Sequence, residues 1–242
     1  MTLAITYPHD HRTREPRPMK AREIWDIANE VRRHLVPRRP TPRLDLERIV
    51  RATKSMVVNG ITIATHWDFE RSVHDAEGRE ALGVTEIDPA LPGVVLISLN
   101  AAVIAERDYL ERSTLAHELG HAVFDGPSML RQAGRSAFAM VTPDEWHLTE
   151  PARGATSVDW REFRANEFMG ALLAPRALLN RELVRRAIAF GLPVRDVGAQ
   201  EPILAASGNF DRMEALLIDL GERFGVSATF IEYRLRRYAL VQ

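Results

Sequence analysis

The chain has no cysteine, which removes disulfides, thiolate zinc sites, iron–sulfur clusters and cysteine nucleophiles together. A metal ion in this protein has to be held by histidine and carboxylate. Nowhere does an apolar run approach the roughly 18 residues that a membrane span requires. The opening MTLAITYPHDHRTREPRPMK also lacks the apolar core of an export signal. A cytoplasmic protein without membrane contact is therefore expected. Net charge is lacking too: 32 lysines and arginines against 33 aspartates and glutamates leave −1, so the whole-chain field favours neither nucleic acid nor a membrane. Only the front end departs from balance, with 13 basic and 7 acidic residues over 1–54.

What is present is 242 residues, 45% hydrophobic and 27% charged, enough to bury a core in one domain or in two small ones. Residues 1–19 are polar and proline-bearing and read as a flexible basic arm. Ile24, Ile27, Ala28, Val31 and Leu35 recur at helical spacing and predict a helix over 21–35, ended by Pro37, Pro40 and Pro42. Leu46, Ile49 and Val50 mark a brief helix. Three β-rich runs follow, over 56–65, 82–87 and 94–99, and predict a small sheet of about three strands. A helix is expected over 106–124 with Gly126 as its stop, then an irregular stretch over 126–158 that carries Phe138, Met140, Trp146 and His147 and reads as a flap. Ala165, Phe168, Met169, Leu172 and Leu173 predict a further helix before Pro175, and another is expected over 175–190. Near the end, Met213, Leu216, Leu217, Leu220 and Phe224 form a stripe stopped by Gly225, and Ser227 can cap a last helix. The class is thus α+β, with an arm over 1–19, a main domain over 20–190 and a helical region over 191–242.

The pentapeptide His117-Glu118-Leu119-Gly120-His121 carries the chemistry. On a helix, residues i and i+4 share a face, so both imidazoles can converge on one zinc ion with Glu118 beside them as general base, the arrangement of metalloproteases. Catalytic zinc takes three protein ligands and keeps one position open, so a further ligand is needed downstream. Glu162 is the expected one, on a helix whose apolar stripe must pack against something. Glu167, Glu150, Asp159 and His147 remain available by spacing, and Asp159 with Glu162 also resembles a capping box. One turn beyond Glu162, Asn166 can hydrogen-bond a ligand histidine. Manganese or iron could occupy the same His/His/Glu set. No residue is singled out as an oxyanion donor; His147, Tyr233 and Tyr238 have suitable chemistry. The run over 94–99 could accept an extended substrate by edge pairing.

Thr114-Leu115-Ala116-His117-Glu118-Leu119-Gly120-His121, followed by Glu162-Phe163-Arg164-Ala165-Asn166-Glu167-Phe168 and Leu172-Leu173-Ala174-Pro175, resembles the ImmA/IrrE family of bacterial metallopeptidases. The resemblance extends over about residues 44–190 and, more weakly, the helical end. It implies a zincin-like metallopeptidase domain over 20–190, in which a small sheet packs on a helical core bearing the HExxH segment. It also implies zinc ligands at His117, His121 and Glu162, a general base at Glu118, and a helix-turn-helix repressor as the protein cleaved. The interval between His121 and Glu162 is longer than the resemblance leads one to expect, which bears on the shape of the substrate groove.

The terminal pair around Phe224-Gly225-Val226-Ser227 resembles a helix-turn-helix in which Arg234, Arg236 and Arg237 could meet phosphates. Glu232 and the neutral net charge stand against DNA contact. Two functions from different classes are therefore carried forward. One is a cytoplasmic zinc endopeptidase of narrow specificity acting on a repressor. The other is a non-hydrolytic regulatory protein of the same fold that binds a transcription factor or DNA.

Overall fold

The run expected as one strand over 56–65 folds back on itself at Asn59-Gly60 in the computed structural model. The structure describes residues 2–36, 41–74, 78–88, 90–104, 107–132, 139–141, 156–195, 203–204 and 209–241. Asn59 and Gly60 both take positive φ, 51° and 79°, as a two-residue type I′ turn requires, and Asn-Gly is the pair that tolerates it best. Val58 accordingly pairs with Ile61, and β2 (Ser55–Val58) and β3 (Ile61–Asp68) form a hairpin. With β1 (Leu3–Ile5), β4 (Gly83–Glu86), β5 (Val94–Leu99) and β6 (Ala139–Val141) they make a six-stranded mixed sheet of order β1-β2-β3-β5-β4-β6. The pairs β1/β2 and β3/β5 are parallel, the rest antiparallel. The architecture is α+β, with a larger sheet than the three runs suggest.

Two expectations about this sheet are corrected. Residues 1–19 do not read as a flexible arm in the structure, because Leu3, Ile5 and Tyr7 alternate inward and are buried, the period of a half-buried strand. The Tyr7 hydroxyl donates to the Val123 carbonyl at 2.8 Å, and Met19 is buried as well. The run over 94–99 is not an edge either: β5 lies between β3 and β4, so its backbone groups are taken up by neighbours.

The helix expected over 106–124 is α4 (Asp108–Phe124), preceded by a short α3 (Ala101–Ile104). It is buried all along 112–124, which explains why no single apolar stripe marks it. Gly126 does not stop it; Gly126 opens α5 (Gly126–Arg131), with Pro127 in the first turn where its missing N–H costs nothing. Of the expected flap over 126–158, the structure therefore shows α5, the backbone of β6 and the start of α6 (Ser157–Leu173). Phe138, Trp146 and His147 lie outside the described residues. Ahead of the sheet's main strands run α1 (Ala21–Leu35) and α2 (Leu46–Thr53).

The chain divides into two units, Met1–Pro37 with Asp45–Leu172 and Arg38–Leu44 with Leu173–Gln242, so the division falls earlier than the boundary at 190. The second unit holds α7 (Arg176–Ala189), the small pair β7 (Val194–Arg195) and β8 (Ile203–Leu204), α8 (Phe210–Phe224) and α9 (Ala228–Arg237). Gly225 ends α8 in the left-handed region at φ 70°, and the Ser227 hydroxyl caps α9 by accepting from Phe230 N at 3.1 Å. Arg234 is corrected as a phosphate contact: it is buried, its guanidinium 4.3 Å from the Tyr238 ring centroid. Arg236 is paired with Glu232. Among the described residues no helix is long and apolar enough to cross a membrane.

Candidate metal centre

One glycine decides how near the two central helices come. A methyl group on Gly120 of α4 would stand 2.9 Å from the Ala165 Cα of α6, closer than real side chains pack, so only glycine permits this approach. Small residues on both helices thus bring Glu162 of α6 over the histidines of α4. Glu162 Oε2 lies 3.3 Å from His117 Nε2, and Glu162 Oε1 lies 3.3 Å from His121 Nε2. The two Nε2 atoms are themselves 2.9 Å apart. Each of the three residues offers a ligand atom within 4.8 Å of the others, so His117, His121 and Glu162 form a cluster that could hold a metal ion.

The outer ring nitrogens fix what the inner ones present. His117 Nδ1 lies 3.0 Å from Asn166 Oδ1 and His121 Nδ1 lies 2.8 Å from Asp125 Oδ2. Both partners are acceptors, so each Nδ1 carries a proton and the two Nε2 atoms are left to face each other and Glu162. Three electron-pair donors converge where little water reaches, and such a cluster demands a positive charge. Without a metal ion that charge is a proton on His121. Burial disfavours it, but the Glu162 carboxylate and the Asp125 hydrogen bond outweigh burial and push the imidazole up to about 10. Glu162 moves the other way: burial opposes its charge, yet His121 and His117 hold it well below the usual carboxylate range. A divalent cation satisfies the same demand with all three ligands deprotonated, so this donor set fits one.

Glu118 sits beside the cluster, fully buried. The Thr85 hydroxyl on β4 donates to Glu118 Oε2 at 2.7 Å, while Oε1 has no hydrogen-bond partner among the described residues. Gly83, two residues earlier on β4, keeps the space at that oxygen open: a Cβ there would lie 3.0 Å from Oε1 and 2.9 Å from Glu118 Cγ. Burial lifts the Glu118 carboxyl above the ordinary range despite His121, His117 and Thr85, which favour its charged form. A carboxyl so placed holds a proton more readily than an ordinary glutamate.

The residues named by sequence are thus brought together at His117, Glu118, His121, Glu162 and Asn166. Of the alternative ligands, Glu167 is buried elsewhere, accepting from Trp25 Nε1. Glu150, His147 and the Asp159 side chain lie outside the described residues. The Tyr238 hydroxyl is buried and donates to the Ala174 carbonyl at 3.0 Å. The chain matches no known family model and no curated protein. Sequence reasoning missed Thr85, Asp125 and Arg164, whose Nη2 reaches Asp125 Oδ1 at 2.8 Å. A signal existed for one of them, because Asp125 follows His121 by the same i, i+4 step that pairs the histidines. Thr85 and Arg164 reach the site through tertiary packing, which spacing does not report.

Proposed function

We propose that this chain is a zinc-dependent endopeptidase of narrow specificity that acts in the cytoplasm on a helix-turn-helix transcriptional repressor. One observation carries the reading: a His/His/Glu donor set converges beside a buried carboxylate whose second oxygen has no hydrogen-bond partner among the described residues. A purely structural zinc site offers four protein ligands and has no use for such a neighbour. The resemblance of the 114–121 and 162–175 segments to ImmA/IrrE metallopeptidases supports a zincin-like domain, zinc as the metal and a repressor as the substrate.

His117, His121 and Glu162 would hold the ion. When bound, zinc supplies Lewis acidity towards a peptide carbonyl and makes water a stronger acid. Glu118 removes a proton from the attacking water through Oε1 and returns it to the leaving amine, while Thr85 keeps Oε2 occupied and so fixes which oxygen does the work. Asn166 and Asp125 keep both imidazoles in the tautomer that leaves Nε2 free.

The test co-expresses a small repressor encoded beside this protein with the wild-type chain and with Glu118→Gln. A discrete repressor fragment is expected with the wild type and none with the variant. Cleavage that survives the substitution rejects Glu118 as the base. No cleavage of any repressor, with zinc bound, favours the non-hydrolytic binding protein instead.

A further inference from the structure

Two imidazoles serve one cluster, but different chemistry backs them. His117 Nδ1 donates to the neutral amide of Asn166, whose own Nδ2 is buried with no hydrogen-bond partner among the described residues. His121 Nδ1 donates to Asp125, a carboxylate only 1% exposed. The other Asp125 oxygen is held by Arg164 Nη2 at 2.8 Å, with Arg161 Nε 3.8 Å away. Both arginines stand on α6, the helix that carries Glu162. Hydrogen bonds to an ionised partner are roughly twice as strong as neutral ones, and a carboxylate behind an imidazole fixes its tautomer and strengthens it as a donor.

We propose that Asp125, clamped by Arg164, is a positioning residue that makes His121 the stronger imidazole donor of the cluster. The helix α6 then acts on the metal twice, directly through Glu162 and indirectly through Arg164, Asp125 and His121. A displacement of α6 loosens both contacts together. The inference rests on the cluster being a metal centre and is independent of whether the protein cleaves peptides.

The experiment measures zinc affinity of the metal-free full chain by competition with a chromophoric chelator, for the wild type, Asp125→Asn and Asn166→Ala. Asp125→Asn keeps the shape but lets the amide rotate, so the tautomer is no longer fixed. Its affinity is expected to fall about 10- to 100-fold, and Asn166→Ala by a smaller factor. Cobalt substituted for zinc should show a shifted visible spectrum in Asp125→Asn, a change that mere loss of stability does not produce. Should that variant not fold without metal, Arg164→Gln reads the pair from its outer end, with the same direction expected. Unchanged affinity and spectrum in the Asp125 and Arg164 variants, or a loss in Asn166→Ala as large as in Asp125→Asn, overturns the proposal. A wild-type chain that binds no zinc overturns the metal centre itself, and the proposal with it.

Discussion

Gly120 and Ala165 meet so closely that an ideal Cβ on Gly120 would lie only 2.9 Å from the Ala165 Cα, too near for a side chain to begin there. Ala165 lies three residues after Glu162, so this contact sets where the Glu162 carboxylate stands over the histidines. Gly120→Ala gains up to about 1 kcal/mol of helix propensity, against an overpacking cost of about 1–3 kcal/mol. The neighbour is backbone and cannot rotate away, so the helices must part. Zinc affinity is expected to fall about tenfold or more, read by chelator competition, because ligand geometry tolerates only about ±0.2 Å. Unchanged affinity contradicts the role given to this contact.

Thr85→Val leaves a buried carboxylate oxygen of Glu118 without its donor while preserving the side-chain shape. Zinc affinity should be unaffected, since Thr85 touches no ligand residue in the structure's hydrogen bonds. Peptidase kcat should drop about tenfold or more with KM little changed, as expected when a general base loses its orientation. Thr85→Ser should restore most of it. A fall in zinc affinity equal to the fall in kcat contradicts this separation of roles.

The raised proton affinity of His121 gives a pH dependence with a definite sign. Burial works against its charge, but Glu162 and Asp125 push it up to about 10 from an ordinary 6.5. The metal-free chain therefore carries imidazolium at neutral pH, whereas a zinc ligand must be neutral. Zinc binding at pH 7 should release about one proton from His121, and apparent affinity should rise up to about tenfold per pH unit until pH nears 10. The folded-state value is raised, so the stabilisation from this charge is complete below about 6.5 and fades as pH climbs through about 10. Metal-free protein should accordingly melt at lower temperature at pH 10 than at pH 7. Calorimetry in buffers of different ionisation enthalpy counts the proton; a count of zero contradicts the charge assigned to His121.

Local spacing explains what is legible in this sequence. The histidine pair one turn apart, the apolar stripes of α1 and α8, the Gly225 stop and the Ser227 cap are all i to i+4 relations that a linear reading can see. The hairpin at Asn59-Gly60 was equally local, yet a continuous β-rich run over 56–65 hides the turn residues inside it. Leu3, Ile5 and Tyr7 alternate, but over a segment whose prolines and charges suggest an arm. Other features are non-local. Thr85 meets Glu118 only because β4 pairs with β5 beneath α4. Arg164 meets Asp125 only because Gly120 lets α6 approach. The burial of α4 on all sides, which makes its sequence pattern weak, is also what raises the Glu118 carboxyl.

Structure determination of the zinc-loaded chain, with X-ray absorption at the zinc edge, tests the central claim most directly. One zinc per chain is expected, bound by two imidazole nitrogens from His117 and His121 at about 2.0–2.1 Å and a Glu162 oxygen at about 2.0–2.2 Å, with a fourth position open to solvent. A chain that takes up no zinc, or that holds it as tightly after Glu162→Ala with the same shell, contradicts it.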